Sequence, residues 1–479
     1  MENSSAQWLT RFRSVHPQAA ARDHDPKFGP VFVRGAGARL WDADGADYID
    51  LTCGYSAANF GQCFQPLVDA ASYQLRQLSH VTGEPHVGRI VLSERLLSAF
   101  ELPPATSQVM LNVSGARAIE TAWKAAVAFR PGKIVTIGPA FHGRSLATLA
   151  LGQTLPLPPP QPFAQHVHCG HPDEYPYCAA CPLKLQFPAC DLKCVRQVLA
   201  AISQHSADIS AVLVEPAIGA RGIILPPAEF LQRLRRITQE HGILLIADEI
   251  QTGLGRFGHM SLAASQGWQP DLLVLGKSLG GGLVPISAVL GRRDVLESLQ
   301  VGSESETFAA SPLATSVACE VLHQLQTGPW IQQGAKAGQR LRQVAEGCLL
   351  NWQMTNVPNH GQTFEVREKG SAPAAAILGG FQNENSAPES LSGCPGERPL
   401  VEGQGACCVI EFGPASPATA WRFAEACVRQ RLLPQLTGPA LSRVALLPAL
   451  TISAEELSTT CERLQLAFTD CMNFESKLA

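Results

Sequence analysis

Two short apolar runs constrain this chain more than any other feature. In GILLIADEIQTGLGRFG (242–258), residues 243–247 are apolar and end on Asp248 and Glu249. In WQPDLLVLGKSLGGGLVPISAVLGRRD (268–294), residues 272–275 are apolar and end on Gly276 and Lys277. Continuous apolar runs of this length between turn residues predict strands buried on both faces. Open α/β sheets gather their chemistry at the carboxyl ends of such strands, so an acid and a lysine are expected to meet at one sheet edge. A surface lysine following a core strand is the competing interpretation. The GLGR turn at 253–256 and the glycine run at 280–282 weigh against it.

The surrounding pattern alternates strand and helix. Strands are predicted at 109–112, 133–138, 211–216, 243–247, 272–275 and 286–290, and helices at 117–129 and 228–242. That alternation implies a largely parallel sheet. Further helices are expected at 313–326 and 333–350, then a short strand near 443–447 and a final helix from Ala454. Asp44-Gly45 lies between two apolar runs, as in a hairpin turn. Residues 1–30 are polar and mixed, and are expected to form an arm with little structure of its own. Residues 64–99 are periodic as helix, with a break near Gly83-Glu84-Pro85.

With 479 residues, 46% of them hydrophobic and 16% charged, the chain can bury a core large enough for two lobes. A formal net charge of −4 offers no electrostatic case for nucleic acid or an anionic membrane. No apolar run reaches the length of a spanning helix. The N-terminus MENSSAQWLTRFRSVHPQ has no apolar core of a secretory signal, so a cytoplasmic location is expected. The fifteen cysteines are then expected to be thiols or ligands before disulfides.

An acid and a lysine at one sheet edge suit pyridoxal 5'-phosphate (PLP): the lysine forms a Schiff base, and the acid keeps the pyridine nitrogen protonated. The segment 211–294 resembles the class III aminotransferases, most closely their ornithine and putrescine branch through L-G-G-G-x-x-P-I-S-A at 279–288. The resemblance implies an α/β protein of PLP fold type I. Its large domain would carry a mostly parallel seven-stranded sheet, and a small α+β domain would be built from both termini. The implied segments are 1–65 (arm and small-domain segment), 66–325 (large PLP domain) and 326–479 (C-terminal small domain). A cysteine-rich insertion near 160–196 and a mobile one near 355–400 interrupt them.

The resemblance also implies roles, residue by residue. Lys277, Asp248 and Glu215 would be catalytic. Ser114, Gly115 and Ala116, in LNVSGARAIETAWKAA (111–126), would hold the phosphate at a helix N-terminus. Phe141 would stack on the ring, with His142 beside it, and Gln251 would meet the ring hydroxyl. Thr307, in SESETFAASPLA (303–314), would reach across a homodimer interface into a shared active site. The substrates would be a small-molecule amine (an ω-amine, a diamine or an amino acid) and a 2-oxo acid, in a ping-pong transamination. PLP isomerases, epimerases and decarboxylases share this fold, and a catalytically weakened homologue is a third alternative.

Several positions depart from the family pattern. Gln62, Ala116, Arg117, Ala310, Ser311, Glu402 and Ala445 stand where other residues are usual. Arg117 replaces an acid; it would either reach the phosphate or pair with Glu120. Ala445 takes the place of a carboxylate-binding arginine, and Arg443, two residues earlier, would either substitute for it or be an ordinary edge residue. In HVHCGHPDEYPYCAACPLKLQFPACDLKC (166–194), Cys178, Cys181, Cys190 and Cys194 have the spacing of a zinc or iron–sulfur site, against the alternative of reduced loop thiols.

Overall fold

The structure, a computed structural model, describes residues 4–17, 30–152, 167–169, 176, 187–355, 399–412, 417–438 and 441–475. The N-terminal segment differs from expectation. Ser5–Val15 is a helix, capped by Ser4, whose side chain accepts from Gln7 N while the Gln7 side chain reaches back to Ser4 N. Such a capping box satisfies two donors that a helix start leaves free. The helix is tied to the body by Ser5 N, which donates to Asp44 Oδ1, and by Ser5 Oγ, which accepts from Val31 N. A meander follows, β1 (Phe32–Ala36), β2 (Arg39–Asp42) and β3 (Asp47–Asp50), turning at Asp44-Gly45 as expected.

The central sheet has seven strands: β4 (Ser107–Asn112), β5 (Lys133–Thr136), β6 (Val167–Cys169), β7 (Ile209–Val214), β8 (Leu244–Asp248), β9 (Leu272–Leu275) and β10 (Ser287–Arg292). Their spatial order is β4-β10-β9-β8-β7-β5-β6. Only β10 runs antiparallel, to both its neighbours, so the other six strands share one direction. The carboxyl ends of β4, β7, β8 and β9 therefore lie along one edge.

Strand periodicity divides the core between two faces. Leu213, Leu244, Ile246, Leu272 and Val274 pack on one side against Ala118, Ala122 and Ala125 of the helix Gly115–Phe129. Val212, Val214, Leu245, Ala247, Leu273 and Leu275 pack on the other, with Phe230, Leu234, Val317 and Val321 from two further helices. A sheet covered on both faces explains why its strands read as unbroken apolar runs. Gly291 is required where β10 passes β9: its φ is +148°, and a Cβ there would stand 2.1 Å from Asp271 O.

A second apolar cluster joins the two ends of the chain. Ile49 and Leu51 pack with Leu341, Phe423, Leu464 and Phe468, and β13 (Leu432–Leu433) pairs in parallel with β3. Beside it, β11 (Leu400–Glu402), β12 (Cys408–Glu411), β14 (Gln435–Thr437) and β15 (Arg443–Leu446) form a sheet in the order β11-β12-β15-β14. β15 is internal, so Arg443 is not an edge residue. The expected insertion near 355–400 falls almost wholly outside the described residues.

Candidate active site

The shared edge of the central sheet holds a cavity of about 190 Å³, lined by residues from five connections, those that follow β4, β5, β7, β8 and β9. Lys277 follows β9 at its floor. Its φ of +43° is a left-handed conformation that costs a non-glycine residue roughly 1–3 kcal/mol, a strain found most often at functional positions. The short helical turn Lys277–Gly280 holds it there, and its Nζ donates to Gln251 Oε1 at 2.7 Å. Burial lowers the Lys277 ammonium from 10.5 to about 8, although Asp248 and Glu215 nearby pull it upward.

Asp248 ends β8 and is buried. Its Oδ2 lies 2.7 Å from His142 Nδ1, and its Oδ1 accepts from Ile250 N at 3.0 Å. Glu249 points the other way, as strand alternation demands. Its carboxylate accepts from Ser261 Oγ and from the backbone of Leu262 and Ala263. Of the two acids delivered by this strand, only Asp248 belongs to the cavity.

Glu215 follows β7 and accepts from Phe141 N at 2.9 Å and Gly219 N at 2.8 Å. Burial pushes it up to about 7; His142 opposes the shift and Asp248 adds to it. A carboxyl poised near neutrality beside a lysine near 8 is the mark of a site built to move protons.

Gly115 and Ala116 open the helix Gly115–Phe129 behind its N-cap, Ser114. Their N–H groups belong to the first turn, which has no intrahelical acceptors, and face a cavity at the positive end of the helix dipole. Gly143 closes that wall: at φ +138° a Cβ would sit 2.7 Å from the Ala116 Cβ. Phe141 lines the opposite side, with the Arg144 guanidinium 5.6 Å from its ring centroid.

Among the described residues, two buried polar nitrogens here find no partner, Gln251 Nε2 and His142 Nε2. Buried polar groups are rarely left unpaired. A flat, polar, anionic ligand spanning the lysine, Asp248 and the helix N-terminus fits such a cavity. PLP has those properties, and the residues present accommodate it.

Of the expected site residues, Gly115, Ala116, Phe141, His142, Glu215, Asp248, Gln251 and Lys277 all line the one cavity. Ser114 supplies the cap beside it. Thr307 is exposed and lies away from the lining. Arg117 does not line the cavity either; it is ion-paired with Glu120, Glu304 and Glu306. The Glu120 pairing was one of the two alternatives, while the contacts with Glu304 and Glu306 were not expected. Ile250 was not singled out in the sequence, yet it fills the space beside Gly115 and Gly276. Its position two residues beyond Asp248 was the available signal.

Arg443 is fully buried. It donates to Gly222 O at 2.6 Å and pairs with Glu402 and, at 3.5 Å, with Glu411. A substrate carboxylate would have to displace one of these acids to reach it. Ala445 is sealed in an apolar cluster with Ala217, Ile223, Phe257 and Val409. Of the four cysteines expected to hold metal, Cys178 and Cys181 lie outside the described residues; Cys190 is buried and Cys194 half-buried. Among the described residues no three His, Cys, Asp or Glu side chains form a metal-holding group, and no described helix is long and apolar enough to cross a membrane.

Residues 19–377 match the family model for aminotransferase class III. The chain is 32% identical to ornithine aminotransferase 1 of Staphylococcus aureus over 321 residues, 64% of this chain and 74% of that one. It is 36% identical to the acetylornithine aminotransferase of Streptomyces coelicolor over 300 residues, 60% of this chain and 66% of the relative. Among solved structures, the fold is shared with an amine transaminase from an uncultivated Pseudomonas species in its PLP-bound form. The TM-score is 0.77 at 23% identity, covering 95% and 99% of the two chains. It is also shared with the ornithine aminotransferase of Toxoplasma gondii, with a TM-score of 0.75 at 22% identity over 100% and 96%.

Proposed function

This chain belongs to the class III aminotransferases, PLP-dependent enzymes of fold type I, and we propose that it transfers the terminal amine of an ω-amine, a diamine or a diamino acid to a 2-oxo acid. The observation that carries this is the convergence of Lys277, Asp248 and the Gly115–Ala116 turn on one cavity, where the buried nitrogens Gln251 Nε2 and His142 Nε2 find no partner among the described residues. The choice of a terminal amine is supported by the ornithine and acetylornithine relatives. It is supported too by the neutralised state of Arg443 and the apolar setting of Ala445, which leave no free arginine at that position.

When bound, PLP supplies an electron sink that makes a substrate C–H beside nitrogen acidic. Lys277 Nζ would hold the cofactor covalently and, once released by substrate, take and return that proton. An amine near 8 is neutral often enough at physiological pH to act as this base. Asp248 would hold the proton on the ring nitrogen, and His142 Nδ1 fixes its carboxylate from behind. Gln251 Nε2 would meet the ring hydroxyl, Phe141 would cover the ring face, and the first turn of the helix would take the phosphate. Glu215, fixed by two backbone N–H groups, would stand beside the incoming substrate.

The exposure of Thr307 and of Phe308, at 65%, supports a homodimer in which this segment completes a neighbouring site.

The test is a panel of amines and amino acids offered, with pyruvate or 2-oxoglutarate, to the purified PLP-loaded protein. Terminal amines should convert bound PLP to its pyridoxamine form, and a 2-oxo acid should restore it. Turnover without any pyridoxamine form would point instead to an isomerase or decarboxylase.

A further inference from the structure

Arg117 stands in the first turn of the helix that opens the phosphate wall, where a cation opposes the helix dipole. Its surroundings account for it. Glu306 reaches back 193 residues to the turn before that helix: its Oε2 accepts from Val113 N at 3.2 Å, and its Oε1 from Asn112 Nδ2 at 3.4 Å. The same carboxylate takes a hydrogen bond from Arg117 Nε. Glu304, 8% exposed, accepts from Arg117 Nη2 at 3.3 Å and from Thr121 Oγ1, and pairs with Lys124. Arg117 Nη1 completes the set with Glu120 at 3.3 Å.

Two carboxylates from a distant loop are thus fastened to the turn that faces the cavity. Glu306 satisfies Val113 N–H just ahead of the N–H groups offered to a phosphate. Without compensation, both acids would repel an anion held at that helix end. Arg117 supplies the compensation and has no place in the cavity wall itself.

We propose that Arg117 is a positioning residue for cofactor phosphate: it clasps Glu304 and Glu306 to the β4–helix turn and neutralises them, without touching the phosphate. This deepens the PLP reading above and depends on it. Charge compensation predicts that Arg117→Ala is rescued by removing the acid it masks, which a direct phosphate contact does not.

The test is titration of full-length apo-protein with PLP, and in parallel with pyridoxal, which lacks the phosphate, followed by absorbance and fluorescence. Arg117→Ala should weaken PLP binding at least tenfold and pyridoxal binding less than threefold. Arg117→Ala/Glu306→Gln should return PLP affinity to within about threefold of the parent protein. Glu306→Gln alone, which keeps an acceptor for Val113 N–H, should bind PLP at least as tightly as the parent. This single variant serves as the test if the Arg117 variants fail to fold. A PLP affinity unchanged in Arg117→Ala, a double variant as weak as the single one, or a tenfold loss in Glu306→Gln would each overturn the proposal. Borohydride fixation of PLP to Lys277 in the parent protein separates the two failures. Fixation with a flat Arg117→Ala result removes only the role of Arg117, whereas no fixation removes the cofactor reading beneath it.

Discussion

Lys277 owes its low ammonium pKa to the cavity floor, where burial outweighs the attraction of Asp248 and Glu215. Its neutral, nucleophilic form therefore accumulates through about pH 8 rather than near 10.5. The rate at which apo-protein captures PLP should rise with pH and level off above about 8 to 9; a rate still climbing in proportion to hydroxide at pH 10 would contradict this. Glu215 is displaced in the opposite sense. Its folded pKa is raised from 4.5 to about 7, so the folded chain holds the proton more tightly. The stability this contributes is complete below pH 4.5 and is lost as the pH rises through about 7. Between those limits, apo-protein should lose on the order of 1–3 kcal/mol relative to Glu215→Gln, read as diverging denaturant midpoints. Parallel curves would show that the carboxyl titrates normally.

Strands and turns decide whether these side chains meet at all. Two glycines test that placement. At Gly291 (φ +148°) any side chain collides with Asp271 O, so Gly291→Ala should destabilise the central sheet by about 2–4 kcal/mol. At Gly143 (φ +138°) the collision is with Ala116 and Thr148 beside the cavity. Gly143→Ala should therefore weaken PLP binding at least tenfold, with a smaller loss of melting temperature than Gly291→Ala; equal effects on both readouts would count against the distinction. The strands that carry Asp248 and Lys277 are legible in the sequence because a sheet covered on both faces requires unbroken apolar runs. The helix Ser5–Val15 is legible too, although its segment reads as polar and mixed: Trp8, Leu9, Phe12 and Val15 keep helical spacing, and Ser4 and Gln7 spell a capping box. The clasp around Arg117 is not legible at all: its partners Glu304 and Glu306 lie 187 and 189 residues away, and no local period links them. The fate of Arg443 is hidden for a similar reason. Spacing gives its face on a strand, but not that Glu402 and Glu411 converge on it.

Taken whole, the chain joins a sheet whose strand ends assemble the cavity to a second lobe drawn from both ends of the sequence. The exposed Thr307 and Phe308 favour a site completed by a second copy. The PLP-loaded protein should sediment as a dimer, and Thr307→Ala should weaken PLP binding several-fold; a fully active monomer would exclude a shared site. The most direct test concerns the covalent bond on which transamination by this chain depends. PLP-loaded protein is reduced with borohydride, digested and mapped. The account predicts a pyridoxyl group on Lys277, and its absence from Lys277→Ala. PLP fixed at another lysine, or at none, would contradict it.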